Sequence, residues 1–237
     1  MLVATNFLNQ LTNRSTPRIG FADAIHKFSR KGLIMNTLST KGSALITGAS
    51  SGIGAVYADR LAQRGYDLIL VARDQKRLTE LAAGLSAKTG RKVDILPADL
   101  TINSDLSRVE ERLRSDSSIS ALVNNAGFGA TSKFVDSKID ELENMIQLNV
   151  TALTRLTAAV LPGLLARANG LIINISSIVA LAPEMLNGVY SGTKAYVVNF
   201  TQSLHHEVGG KGIQVQAVLP GATSTEFWDR AGLAIKH

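Results

Sequence analysis

Six short runs rich in Val, Ile and Leu (SALIT, DLILVA, KVDIL, ALVN, LIINI and IQVQAVL) recur along the chain from Ser43 onward, with longer stretches between them. Those stretches are GIGAVYADRLAQRG, QKRLTELAAGLSAKTG, SDLSRVEERLRS, the segment from Lys138 to about Arg167, and KAYVVNFTQSLHHEV, and their apolar residues fall three and four apart, as on helices. Apolar runs this continuous are buried on both faces, and strands linked through helices run parallel. The alternation therefore predicts an α/β chain with a doubly wound parallel sheet, helices on both sides, in a single domain. A length of 237 residues with 45% apolar content can fill such a core.

Composition removes several classes of function. There is no cysteine and there are four histidines, two of them adjacent at His205 and His206, so neither disulfides nor a metal centre are expected. A 5% aromatic content with one Trp argues against base stacking on single-stranded nucleic acid. Of the net charge of +6, Arg14, Arg18, Lys27, Arg30 and Lys31 against Asp23 place +4 in the first 34 residues. The remaining +2 forms no basic stripe, so no nucleic-acid partner is expected. No run of 18 uncharged apolar residues occurs, and the expectation is a cytoplasmic protein without a membrane partner.

Residues 1–34 have the Arg/Lys-rich, acid-poor composition of an organellar targeting segment. Met35, followed by the polar lead NTLSTKGS, suits a natural start equally well, and a real arm is a third reading. Residues 1–40 are set apart as an N-terminal extension, disordered or the product of a mis-assigned start, and 41–237 form the domain.

The first apolar run leads directly into TGASSGIG and then a helix. Gly48, Gly52 and Gly54 allow a tight turn and close approach of a pyrophosphate, and the helix N-terminus offers its N–H groups to the anion. Ser50, Ser51 and Ile53 lie in the same turn. The spacing is G-x3-G-x-G, not the usual G-x-G-x-x-G of dinucleotide sites.

TGASSGIG, NNAG at 124–127, the Asn of QLNV at 149, ISS at 175–177, YSGTK at 190–194 and PG at 220–221 follow one another in a distinctive order and spacing. In this the chain resembles the short-chain dehydrogenase/reductase family, from about residue 41 to 228. The resemblance implies a Rossmann fold, an NAD(P)(H)-dependent oxidoreductase, and a catalytic tetrad of Ser177, Tyr190, Lys194 and Asn149, with Asn149 holding a water that links Lys194 to solvent. It also implies that Asp99 and Leu100 contact adenine, and that Asn125, Ala126 and Gly127 line the dinucleotide. Tyr190, Lys194, Pro220, Gly221, Thr223 and Thr225 would contribute to the cofactor site as well. Without the resemblance, Asp99 and Asn125–Gly127 read as a helix cap and a turn, and Asn149 as a packing residue.

The residues themselves allow these roles. Tyr190 and Lys194 are four apart and share a helix face, where an ammonium is expected to lower the phenol from its usual value near ~10 toward working pH. Ser177 ends the fifth strand, at the sheet edge where ligands collect, whereas alternation turns Ser176 the other way. At the end of the second strand Arg73 can pair with a 2′-phosphate; Ala72 stands where an acid would favour NAD, and Asp74 reads as the cap of the next helix. The cofactor expected is therefore NADP, with NAD possible.

The resulting expectation is hydride transfer between nicotinamide and a small carbonyl or secondary alcohol, with Tyr190 as acid or base. Leu181, Ala182, Met185 and Phe227 are candidates for an apolar pocket. The alternative is a truncated, weakly active or inactive nucleotide-binding relative. By the same resemblance a homodimer would form through the long helices, while a tetramer is doubtful. Sixteen residues follow Gly221, fewer than the family's further helix and seventh strand require, so the sixth strand is expected to lack a neighbour and the chain to associate through it.

Overall fold

A computed structural model describes residues 41–221. The N-terminal extension, and Thr223, Thr225 and Phe227, lie outside the described residues. Six strands form one parallel sheet: β1 (Ser43–Thr47), β2 (Asp67–Ala72), β3 (Val93–Pro97), β4 (Ile119–Asn124), β5 (Gly170–Ile175) and β6 (Ile213–Val218), in the order β3-β2-β1-β4-β5-β6. The order reverses between β1 and β4, the switch point beside which open α/β sheets hold ligands in a crevice at the carboxyl ends of the strands.

The helices are α1 (Gly52–Gln63), α2 (Gln75–Thr89), α3 (Asn103–Ser115), α4 (Ile139–Ile146), α5 (Leu153–Arg167) and α6 (Gly188–Glu207). Side chains alternate along each strand and feed two cores. Ala44 and Ile46 of β1 pack with Ala58 and Leu61 of α1 and Leu78 and Leu85 of α2. Leu45 joins Leu106 and Val109 of α3, Leu156 and Val160 of α5, and Leu204 of α6 on the opposite face. The doubly wound, three-layer expectation is borne out.

The segment expected as one long helix is interrupted. Gln147–Ala152 forms a π-helical turn between α4 and α5. By length and composition Ile139–Arg167 could cross a bilayer, but Leu153, Leu156, Ala159, Val160 and Leu164 are buried against the sheet, as in the core helix of a globular domain. Three short 3-10 turns, Phe134–Asp136, Ile178–Leu181 and Pro183–Met185, lie in the loops after β4 and β5.

One polar ladder crosses the second core. Asn124 and Asn174 are register partners on β4 and β5, and Asn124 Nδ2 donates to Asn174 Oδ1 at 2.9 Å. Asn124 Nδ2 also reaches Thr157 Oγ1 on α5, and Asn174 Nδ2 reaches Thr201 Oγ1 on α6, both at 3.0 Å. The ladder ties two helices to the sheet beneath the crevice, and Asn124 Oδ1 is buried without a hydrogen-bond partner among the described residues.

Candidate active site

The β1–α1 loop and the loop after β4 close on each other at the crevice. Thr47 Oγ1, buried at the end of β1, accepts hydrogen bonds from Asn125 N at 3.0 Å and Ala126 N at 2.9 Å. Asn125 Nδ2 returns to Thr47 O at 2.9 Å and Gly48 O at 3.1 Å. Gly54 is required by contact: a Cβ there would stand 2.2 Å from Gly48 O. Gly48 and Gly52 take positive φ, at 62° and 54°. The first turn of α1, which follows Ser51, carries no acidic residue, and Ile53 is tucked against the core. Half-buried Ser50 completes this loop, so the turn offers backbone N–H groups and space to an anion.

Arg73 leaves β2 exposed, with Nη1 3.7 Å from Asp99 Oδ2. Asp99 is held in place: its Oδ1 accepts from Thr101 N at 3.0 Å and Thr101 Oγ1 at 2.7 Å, while its N–H donates to Asp105 Oδ2 at 2.8 Å. Leu100 is buried in the core beside it. Asp74 caps α2 by accepting Arg77 N at 3.0 Å, as its sequence position suggests, and also ion-pairs with Arg77. These residues fit a dinucleotide carrying a 2′-phosphate: glycines and a helix N-terminus for the pyrophosphate, and an exposed cation at the end of β2.

Ser177, Tyr190 and Lys194 come together beside this crevice. Ser177 follows β5 and caps the Ile178–Leu181 turn, its Oγ accepting from Val179 N at 3.4 Å. Tyr190 and Lys194 lie one turn apart near the start of α6, both buried. The Tyr190 phenol is hydrogen-bonded to Ser177, and Lys194 Nζ lies 5.8 Å from the Tyr190 ring centroid while donating to Ile175 O at 3.1 Å. Ser176 points away, its Oγ donating to Lys194 O at 2.8 Å. Ile178 N donates to Pro220 O at 3.0 Å, which brings the Pro220–Gly221 turn against the Ser177 loop.

The phenol departs from expectation. Burial raises the Tyr190 phenol above its ordinary value, and the Ser177 hydrogen bond opposes the rise. Lys194 does not bring it down because the ammonium is itself desolvated, lowered by burial to about 8, and is turned toward the Ile175 carbonyl.

Asn149 lies in the π turn, 2% exposed. Its Oδ1 accepts from Phe128 N at 3.1 Å, and its Nδ2 donates to Phe128 O at 2.9 Å and Thr193 Oγ1 at 3.1 Å. The side chain thus clamps the β4 loop to α6, and none of these bonds leads to Lys194. Gly127 fits between them: a Cβ would sit 2.9 Å from Asn149 Oδ1 and 3.4 Å from Lys194 Nζ.

Reading the sequence alone missed Thr47, Asp105 and Thr193, each of which holds a site residue in place. Thr47 opens the TGASSGIG motif and carried a signal in its position; Asp105 and Thr193 carried none, since their partners are set by tertiary contact.

A family model described as short chain dehydrogenase matches residues 30–234. Among solved structures, a short-chain dehydrogenase from Sphingobium yanoikuyae in complex with NADPH is 52% identical with a TM-score of 0.80, covering 81% of this chain and 75% of that one. The bulky-bulky ketone specific alcohol dehydrogenase from Comamonas testosteroni is 48% identical with a TM-score of 0.77, covering 78% and 75%. The very-long-chain 3-oxoacyl-CoA reductase of Rattus norvegicus is 36% identical over 188 residues, 78% of this chain and 60% of the relative. The chain spans about 60% of the length of such curated relatives. Sheet order, glycine loop and the Ser177–Tyr190–Lys194 cluster agree with that match, and the chain belongs to the short-chain dehydrogenase/reductase family.

Proposed function

We propose that this protein is an NADP(H)-dependent reductase of carbonyl compounds, or in reverse a dehydrogenase of secondary alcohols. The observation that carries the reading is the buried phenol of Tyr190 hydrogen-bonded to Ser177 at the mouth of the nucleotide crevice. NADP(H), when bound, supplies or accepts the hydride at the substrate's carbonyl carbon.

The chain's own residues manage the oxygen. Because burial raises the Tyr190 phenol, it is protonated at neutral pH and acts as the donor in reduction; its proton passes to the carbonyl oxygen as that oxygen gains negative charge. Ser177 donates a hydrogen bond to the same oxygen and orients the phenol. Lys194, held by Ile175 O behind the tyrosine ring, contributes a buried positive charge to the nucleotide site. Asn149 keeps the β4 loop and α6 at fixed spacing.

Preference for NADP(H) follows from the end of β2. Arg73 is exposed and able to turn from Asp99 to a 2′-phosphate, whereas Asp74, the acid nearest a ribose, is occupied in capping α2. The neighbour crystallised with NADPH supports the same choice. Phe134, Val135, Leu181 and Met185 are exposed in the loops above the site and favour an uncharged, apolar carbonyl. Two copies would pair through the outer faces of α5 and α6, where Tyr196 and Phe200 stack at 5.8 Å. We place the protein in the cytoplasm.

The test is NADPH oxidation by the purified chain against a panel of ketones and aldehydes, with cofactor binding measured alongside. Turnover supports the reading; binding without turnover on any carbonyl leaves a nucleotide-binding protein and refutes it.

A further inference from the structure

Asn187 precedes α6 and is 3% exposed, yet it belongs to none of the motifs that mark the site. Both ends of its amide are engaged. Oδ1 accepts from Val189 N at 2.9 Å, capping the helix that carries Tyr190 three residues later. Nδ2 donates to Ser132 O at 2.9 Å and Ser137 Oγ at 3.2 Å, in the loop after β4.

That loop is closed on itself. Ser132 Oγ and Ser137 Oγ are 3.0 Å apart, and Ser137 Oγ donates to Lys133 O at 2.9 Å. The Ser137 hydroxyl thereby gives one hydrogen bond and receives those of Ser132 and Asn187, its full capacity. Between the two serines, the 3-10 turn Phe134–Asp136 displays Phe134 and Val135, 63% and 84% exposed. On the other rim, Leu181 and Met185 are 58% and 62% exposed. The rims meet in a small apolar cluster in which Tyr190, Val179, Leu142 and Met145 pack with Phe128 and Leu186.

We propose that Asn187 is a positioning residue that latches the Ser132–Ser137 loop to the first turn of α6, so that the apolar wall of Phe134 and Val135 stands at a fixed place relative to Tyr190. It sets affinity for the carbonyl substrate and takes no part in proton transfer. This rests on the reductase reading above. The two halves of the amide act on different elements: the oxygen holds the helix, the nitrogen holds the loop.

That division makes the proposal separable by experiment on the full chain. Asn187→Asp keeps an acceptor for Val189 N and loses both donations to the loop; Asn187→Ala loses all three bonds; Ser137→Ala, at a half-buried loop position, removes one. Amide hydrogen exchange should quicken about tenfold or more at residues 132–137 in Asn187→Asp, with 189–194 as in the wild type, and in both segments in Asn187→Ala. The KM for an active ketone should rise about five- to tenfold in Asn187→Asp, with kcat within about twofold and NADPH affinity unchanged, and Ser137→Ala should shift exchange and KM in the same direction by less. Unchanged exchange at 132–137 in both Asn187→Asp and Ser137→Ala overturns the latch. A fall in kcat at constant KM, or a lower melting temperature with unaltered kinetic constants, overturns the positioning role. A wild-type chain that turns over no carbonyl refutes the reductase reading and the effect on substrate with it, while the exchange comparison still decides the latch.

Discussion

The hydroxyl of Ser176 donates a 2.8 Å hydrogen bond to the backbone carbonyl of Lys194, joining the end of β5 to the early turns of α6. Lys194 answers through its own side chain, whose Nζ reaches Ile175 O at 3.1 Å. Two adjacent residues at one strand end therefore fix one helical residue by both its backbone and its side chain. Replacing Ser176 by Ala should cost about 1 kcal/mol, lowering the melting temperature by about 2–4 °C, and should reduce kcat as α6 loosens. Thermal unfolding beside steady-state kinetics checks both effects.

Lys194 makes stability depend on pH in a direction opposite to that of a surface lysine pair. Its folded value of about 8 lies below that of an unfolded lysine, so between these values the unfolded chain binds more protons and stability rises with pH. Relative to Lys194→Met, the wild type should gain up to about 3 kcal/mol from pH ~7 to ~10.4. Denaturant unfolding of both proteins across that range measures it, and a constant difference refutes the assignment. The ammonium is lost over the same range, so kcat/KM for NADPH in reduction should decline above pH about 8.

Tyr190→Phe removes the phenolic proton and keeps the ring within its apolar cluster with Leu142, Met145 and Val179. Turnover should fall by roughly 10² or more while NADPH affinity stays within about twofold. Near-normal turnover in this variant would place the acid elsewhere.

Arg73→Ala should reduce affinity for NADP(H) about tenfold or more and leave NAD(H) binding unchanged. The Arg73–Asp99 contact is 3.7 Å long with Arg73 side chain 73% exposed, so little is disturbed in the ligand-free protein. Calorimetric titration with both cofactors reads the difference; equal losses for the two would mean that Arg73 does not meet a 2′-phosphate.

What could be read from the sequence was whatever is local or periodic. Runs such as DLILVA and LIINI announce strands covered on both faces, and Asp74 announces its cap because the bonded N–H is three residues away. The π turn at Gln147–Ala152 leaves no such trace, since it changes the hydrogen-bonding step of a helix and not its apolar spacing. Asn187 and Thr47 meet partners 50 to 79 residues distant, and no spacing rule reaches that far. The Tyr190 phenol was misjudged for a related reason: proximity to Lys194 is visible in a four-residue interval, but the shared burial of both groups is a property of the packed domain.

The Asn124–Asn174 ladder also bears on how the sheet finds its alignment. Parallel strands of Val, Ile and Leu fit one another at many offsets, and a slip of one residue turns each side chain to the opposite face. Shifted that way, Asn174 would leave Thr201 for the layer filled by Ala58 and Leu61, and Asn124 and Thr157 would lose their place in the chain of bonds. Each amide stranded in that layer would cost about 1–3 kcal/mol, a large share of a domain's net stability. The ladder thus separates the native register from mispaired sheets that satisfy the apolar pattern equally well, since only the native pairing gives both amides their partners on β5, α5 and α6.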